Sequence, residues 1–163
     1  MAELFLKAIA ASPANKQVIL VAEWLKERNP GFDGLVTPKI EAGAVTGLDI
    51  PSPLVQDLTP LKALTGLRSL TCRSTLGYDN RAESDAALLH SLKALETING
   101  KPVAEFWKDV ETKQADFNAW LQRVPTLPAE QQVKEVAAKL KERNPGTPCY
   151  VTSKTESGGV TDI

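Results

Sequence analysis

Apolar residues recur at helical spacing early in the chain and predict a helix with one buried stripe. They fall at positions i, i+3, i+4 and i+7, and they are Val18, Val21, Ala22 and Leu25. Ser12 and Pro13 precede the stripe as the expected N-cap and first helical residue. The string Asn-Pro-Gly at 29–31 should end the helix, because proline cannot continue it and glycine accepts the following turn. A short apolar segment at 2–10 predicts another helix before it.

The pattern changes from helical spacing to alternation after this helix. Apolar and polar residues alternate through LVTPKIEAGAVTGLDI, which has a turn signal at Ala42-Gly43 in its middle. Alternation around a central glycine is typical of a β-hairpin, so a hairpin is predicted at 34–48. The first part of the chain is therefore expected to form a helix–β-hairpin unit.

The same unit is written a second time near the other end of the chain. The string LKERNPG occurs at 25–31 and again at 140–146, and the flanking residues also match when the chain is shifted by 115 positions. About 20 of the first 48 residues are identical to their counterparts, which indicates an internal duplication. Helix 13–28 and hairpin 34–48 are expected to superpose on 128–143 and on 149–163.

Leucines follow a different period between the two copies. In DLTPLKALTGLRSLTC every third residue is a leucine, up to a cysteine two positions after the last one. Such spacing is the signature of a leucine-rich repeat, in which a short strand carries inward apolar residues. Parallel strands are predicted near 46–50, 68–72 and 95–99. The residues expected to lie buried side by side on them are Leu48, Leu70 and Ile98.

A long helix is predicted after the third strand. Its apolar residues keep a helical period up to Pro125, and they are Val103, Phe106, Val110, Phe117, Trp120 and Val124. Such a helix would cap the open end of the leucine-rich stack, as repeat arrays require. The predicted fold class is α+β, with a duplicated helix–β-hairpin unit flanking a short leucine-rich-repeat stack and a long capping helix. Two domains are expected, at 1–110 and 111–163.

Three segments carry a resemblance to a known family. RNPGFDGLVTPKIEAGAVTGLDI, LTPLKALTGLRSLTC and LKALETINGKPVAEFWKDVE are similar to the leucine-rich-repeat segments of planctomycete bacterial proteins. Some proteins of that family carry these segments behind a serine/threonine kinase domain, and others carry them alone. The resemblance implies a bacterial repeat protein, although relatives usually have several repeats and this chain has one clear one. The chain has no Gly-rich phosphate loop, His-Arg-Asp string or Asp-Phe-Gly string, so kinase activity does not carry over.

Charge and composition exclude several classes of partner. Nineteen basic and 20 acidic residues leave a net charge of −1, so no global field attracts nucleic acid or an anionic membrane. No apolar run is long enough for a membrane span or for the core of a signal peptide. The two cysteines do not form a disulfide framework, which favours the cytoplasm as the location.

The few chemically reactive residues do not form a catalytic pattern. His90 is the single histidine, and no nucleophile motif stands beside it. Cys72 is expected to fill an inward strand position, and Cys149 to be a partly exposed thiol at the start of a hairpin strand. No His/Cys pair has the spacing of metal ligands, so neither a metal nor a cofactor is expected. The chain is predicted not to be an enzyme.

Two sets of residues are candidates for contact with a partner protein. The first set lies on the outward side of the predicted strands and comprises Asp49, Ser69, Thr71 and Arg73. The second set lies on the outer side of helix 13–28 and comprises Ile19, Leu20 and Trp24. The second copy has Lys134, Glu135 and Lys139 in their place. The apolar side either packs against a neighbouring element or is an exposed anchor, since tryptophan is favoured at binding hot spots.

The sequence favours a non-catalytic protein-interaction module of leucine-rich-repeat type, with another protein as its partner. Two alternatives stay open. One is a hydrolase or transferase whose site forms only in three dimensions, and a deep pocket holding His90 with a carboxylate would favour it. The other is structural self-assembly into a weak homo-oligomer through the edge of the C-terminal hairpin.

Overall fold

The computed structural model describes residues 2–73, 82–143, 154–156 and 159–162. The helices are α1 (Ala2–Ala10), α2 (Ala14–Arg28), α3 (Ala82–Ser91), α4 (Val103–Arg123) and α5 (Ala129–Arg143). The strands are β1 (Thr37–Glu41), β2 (Ala44–Ile50), β3 (Ser69–Cys72), β4 (Thr97–Ile98), β5 (Lys101–Pro102), β6 (Lys154–Glu156) and β7 (Gly159–Asp162). The predicted α+β class is confirmed. Over these residues, no helix combines the length and the apolar character needed to cross a membrane.

The chain divides into two compact units, 1–111 and 112–163. The first unit contains a five-stranded sheet in the order β1-β2-β3-β4-β5, and the second contains the two-stranded sheet β6-β7. Strands β2, β3 and β4 are parallel to one another. Strands β1 and β5 pair with them antiparallel at the two edges. Cys149 and much of the predicted hairpin 149–163 lie outside the described residues.

The three parallel strands carry their buried residues in register, at the places that the sequence predicts. Leu48, Leu70 and Ile98 are direct neighbours across the strands, and each is at most 3% exposed. Ile50 and Cys72 form the next buried pair. Because side chains alternate along a strand, the residues between these positions point to the opposite side of the sheet.

The leucine period corresponds to a chain of tight turns beneath the sheet. Leu58, Leu61, Leu64 and Leu67 are all buried. The backbone N–H of each of the last three donates to the carbonyl of the leucine three residues before it, at 2.9, 2.9 and 3.0 Å. These bonds have the i to i+3 spacing of a 3₁₀ helix, which brings side chains three apart onto one side. The LxxL spacing therefore places every leucine of this segment in the core.

Helices α1, α2 and α3 pack against the 3₁₀ turn Thr59–Ala63, which fixes where the core lies. The long α4 contributes Phe106, Trp107 and Val110 to the same buried cluster. Its first half belongs to the first unit and its second half to the second unit. The first unit thus has one core, made by inward residues of the strands, by leucines of the segment 58–70 and by residues of four helices.

Two hairpin turns use backbone conformations in the left-handed region. Ala42 and Gly43 have φ values of 49° and 79°, and Asn99 and Gly100 have values of 51° and 78°. Two successive residues with positive φ form the tight turn that suits the twist of antiparallel strands. The Asn-Gly pair therefore joins β4 to β5, and α4 begins only at Val103.

Ser12 does not cap α2, contrary to the prediction. Its hydroxyl donates to the carbonyl of Ala8 at 3.0 Å, at the end of α1, and Pro13 occupies the N-cap position. Gln17 instead joins the two helices, because its side-chain amide donates to the carbonyls of Ala10 and Ser12 at 2.9 and 2.8 Å. The start of α2 is therefore held by a residue inside the helix.

Candidate functional site

The outward side of the sheet brings together the four strand residues that the sequence predicts as partner contacts. Asp49 on β2 is the direct neighbour of Thr71 on β3, and Ser69 lies two residues before Thr71 on the same side. Arg73 follows β3, and its backbone N–H donates to the carbonyl of Ile50 at 3.3 Å. All four side chains are exposed. We refer to the surface made by Asp49, Ser69, Thr71 and Arg73 as the strand face.

The strand face extends onto the neighbouring strands through residues that the sequence reasoning missed. Thr37 on β1 pairs with Asp49, and Thr97 on β4 pairs with Ser69. The Thr97 hydroxyl donates to the Ser69 hydroxyl oxygen at 3.0 Å. The predicted register carried the signal for Thr97, because the residue before the inward Ile98 must point outward.

A glycine keeps one position of the strand face open. A Cβ atom at Gly47 would lie 3.0 Å from the Cβ of Lys39, the paired residue on β1. The Lys39 stem therefore lies against Gly47, and its ammonium group pairs with the Glu41 carboxylate at 2.9 Å. A larger residue at position 47 would displace this lysine from the edge of the face.

A separate recess of about 370 Å³ lies at the amino ends of β2 and β3. Its lining residues are Glu41, Ala42, Ala44, Thr46, Gly66, Arg68 and Ala94. Hydrogen bonds from Lys39 and Thr46 lower the pKa of the Glu41 carboxyl, and the charge of Arg68 acts in the same direction. The recess thus has small apolar walls and carries one carboxylate and one guanidinium, so it could hold a small apolar group.

The apolar side of α2 is divided between the core and the surface. Trp24 is 8% exposed and meets the ring of Phe5 edge to face, at 5.0 Å between centroids. Leu20 is half-buried and packs against the core, whereas Ile19 is 57% exposed. The interpretation of Trp24 as an exposed anchor is therefore wrong, since this side chain packs against α1. Of the three residues, Ile19 alone is largely accessible to a partner.

His90 lies at the end of α3 and does not line the recess. Its side chain is exposed, and its ring lies 5.2 Å from that of Trp107, with an angle of 30° between the planes. The indole N–H of Trp107 is buried and has no hydrogen-bond partner among the described residues. Within the same part of the chain, no group of three or more His, Cys, Asp or Glu residues is placed to hold a metal ion.

Comparison of the chain with protein-family models, curated proteins and solved structures finds no match to any of them. The resemblance to planctomycete repeat proteins therefore stays a prediction.

Proposed function

We propose that this chain is a non-catalytic protein-interaction module of the leucine-rich-repeat type, which binds another protein through the strand face. One observation carries the proposal: the parallel strands bury Leu48, Leu70 and Ile98 in register and leave Asp49 and Thr71 exposed on the other side. Main-chain pairing and the buried leucines hold the strands, so the side chains of Asp49 and Thr71 are not needed for that role. Those side chains are therefore available to contact a partner on a rigid scaffold.

The leucine-rich-repeat assignment is supported by the spacing of 22 residues between the paired positions of β2 and β3. Leu48 pairs with Leu70, and Ile50 pairs with Cys72, so residues 22 apart in sequence are neighbours across the strands. A length of 20–29 residues is typical of this class of repeat. The intervening segment returns beneath the sheet through its 3₁₀ turns, which is the path that a short parallel crossover needs.

The structural duplication of the helix–β-hairpin unit is supported by matched hydrogen bonds. Gln132 stands 115 residues after Gln17, and its side-chain amide donates to the carbonyls of Pro125 and Leu127 at 3.3 and 2.7 Å. Those two residues are the counterparts of Ala10 and Ser12, the acceptors for Gln17. Both helix pairs are therefore joined by the same side chain making the same pair of bonds.

The two hairpins also share an irregularity. Lys39 pairs with Gly47, and the register of β1 and β2 shifts directly after that lysine. Lys154 pairs with Asp162, and the register of β6 and β7 shifts at the corresponding place. A shift of this kind places an extra residue in one strand and tends to be kept where a sequence is kept.

A photo-crosslinking experiment tests the use of the strand face. The intact chain carrying a photoreactive amino acid at Thr71 should crosslink to a discrete partner protein in the source cell. The same group at Lys62, which is exposed on the 3₁₀ turn rather than on the strands, is the matched control. We expect adducts from position 71 that are absent from position 62. Identical adducts from both positions, or none from position 71, would contradict the proposal.

A further inference from the structure

Residues of the repeated string LKERNPG join the end of α2 to the segment at 56–57 in the first unit. Leu25 is fully buried, and the Arg28 side chain donates to the Asp57 carboxylate at 2.6 Å. Asn29, which is 2% exposed, accepts the backbone N–H groups of Gln56 and Asp57 at 2.6 and 2.7 Å. Its amide group donates to the carbonyls of Leu25 and Asp57 at 2.8 and 3.1 Å. The end of α2 is therefore hydrogen-bonded to the backbone and to the acidic side chain of residues 56–57.

The same segment covers the apolar stripe of α2. Val55, Leu58 and Leu61 are buried in one cluster with Val21 and Leu25 of that helix. The covering segment reads V-x-D-L-x-x-L over 55–61. Its valine and leucines pack in the same buried cluster as the stripe. Its aspartate accepts a hydrogen bond from Arg28 at the end of the helix.

Helix α5 repeats the stripe but buries it less, since Val133, Val136 and Ala137 are half-buried and Leu140 is exposed. The α5 stripe comprises Val133, Val136, Ala137 and Leu140, which are identical to their counterparts in α2. No residue of α5 is buried, and Leu140 is 41% exposed where its counterpart is 0% exposed. The Arg143 guanidinium, the counterpart of the one that binds Asp57, lies 3.8 Å from the centre of the Phe117 ring. In the second unit this helix packs against the turn Val124–Thr126 and against β7.

We infer that the α5 stripe is a docking site for a leucine-rich-repeat segment of another protein, with the pattern V-x-D-L-x-x-L. Identical residues on one helix already hold a segment of that pattern, and Arg143 supplies the positive charge that complements its aspartate. A second copy of this chain is a poor donor, because its own segment is buried against its own α2. The site is distinct from the strand face, so it does not depend on the function proposed above.

A titration of the full-length, isotope-labelled chain tests this inference by nuclear magnetic resonance. The probe is a synthetic peptide with the sequence of residues 51–71, which contains the whole pattern. We expect saturable shifts of the amide signals of α5 and unchanged signals for α2. The variant Val136→Asp should remove the shifts, whereas Lys134→Glu, on the exposed side of the same helix, should bind as the parent does.

A second test reverses the two charges that are expected to meet, and it applies even if Val136→Asp disturbs the fold of α5. A peptide with Asp57→Lys should bind the parent chain at least about fivefold more weakly, because like charges then meet at Arg143. The chain variant Arg143→Glu should restore its binding. Equal affinity for a scrambled peptide, equal affinity for the charge-reversed peptide, or no saturable shift at α5 would each overturn the inference.

Discussion

The helix pairs α1–α2 and α4–α5 meet through aligned residues of different chemistry. In the first pair, Phe5 meets Trp24 edge to face at 5.0 Å, and Trp24 is buried. In the second pair, the corresponding residues are Trp120 and Lys139, and the lysine ammonium lies 5.9 Å from the ring centre. An aromatic contact to a buried tryptophan and a cation–π contact between two half-buried residues thus occupy the same place in the two helix pairs.

The second helix pair depends further on polar groups at its surface. The Trp120 indole N–H donates to the Glu135 carboxylate at 3.2 Å, and Arg123 donates to the same oxygen at 2.9 Å. These two hydrogen bonds hold the pKa of Glu135 below its ordinary value. The first pair has Leu20 at the position of Glu135, and that leucine packs against the core.

The comparison shows that an apolar stripe does not determine its own burial. Val21 and Leu25 are 0% exposed. Of the identical residues on α5, Val136 is half-buried and Leu140 is exposed. In the first unit, Val55, Leu58 and Leu61 of the leucine-rich segment are buried in one cluster with the stripe of α2. Burial of the stripe therefore depends on the segments that cover it as well as on its own residues.

The largest effect is expected from the centre of the leucine-rich stack. Leu70→Ala should lower the free energy of unfolding by about 2–5 kcal/mol, because the cavity it leaves lies between two buried neighbours. Thermal or urea unfolding measures the change. Leu121→Ala, at a half-exposed position of α4, is the control and should change little. A Leu70→Ala protein that melts within a degree or two of the parent would contradict the repeat assignment.

Aligned leucines sharpen the comparison between the two units. Leu25→Ala should destabilise the first unit by about 2–5 kcal/mol, whereas Leu140→Ala should cost less than about 1 kcal/mol, because its side chain is already exposed. Urea unfolding of the two variants, followed separately by amide signals of each unit, gives both values. Equal losses would mean that both stripes are covered to the same degree.

A smaller, pH-dependent effect on stability is expected at the contact between Arg28 and Asp57. Burial raises the pKa of Asp57, but hydrogen bonds from Thr59 and Arg28 outweigh it and leave the pKa below its ordinary value of 3.8. The ionised carboxylate therefore stabilises the folded chain above that value, and this contribution is lost as the pH falls through the lower folded pKa.

Replacement of the aspartate tests this sign. Asp57→Asn should lower stability by about 0.5–1 kcal/mol at pH 7 in urea unfolding, and the gap should narrow below about pH 4. In a background of Arg28→Gln the same replacement should cost less. A gap that widens on acidification would show that the assigned direction of the pKa shift is wrong.

The smallest expected effect is self-association through the second hairpin. Among the described residues, β7 pairs with β6 alone, whereas β2 pairs with strands on both sides. An edge of this kind can pair with another strand, so the intact chain should form a weak dimer at high concentration. Sedimentation of the intact chain is compared with that of a chain ending at Ser153. If both chains sediment as monomers at high concentration, this prediction is wrong.

Two local sequence rules account for the strands and turns around Leu70. Leucines three apart close 3₁₀ turns, and alternation around Leu70 places every second side chain inward. Both rules act over a few residues and need no knowledge of the remaining chain. The strand face followed from the same alternation.

Features that depend on distant segments could not be predicted in this way. Ser12 stands between two helix ends, and its sequence context does not tell which end its hydroxyl will bond. The recess combines residues from three separate segments, and Trp24 could have been exposed or covered until its neighbour Phe5 was known. The role of Asn29 depended on a loop 27 residues away, although the repeated string around it was a visible signal.

The leucine-rich segment covers the apolar stripe of α2, whereas the identical stripe of α5 is less buried. Native-state hydrogen exchange of the intact chain measures this difference, because the exchange rate reports the opening free energy of each backbone amide. We expect the amides of Val21 and Leu25 to exchange only through global unfolding of the first unit. The amides of Val136 and Leu140 should exchange through local opening, at least about 100-fold faster. Equal protection of the two helices would show that the stripes of α2 and α5 are covered to the same degree.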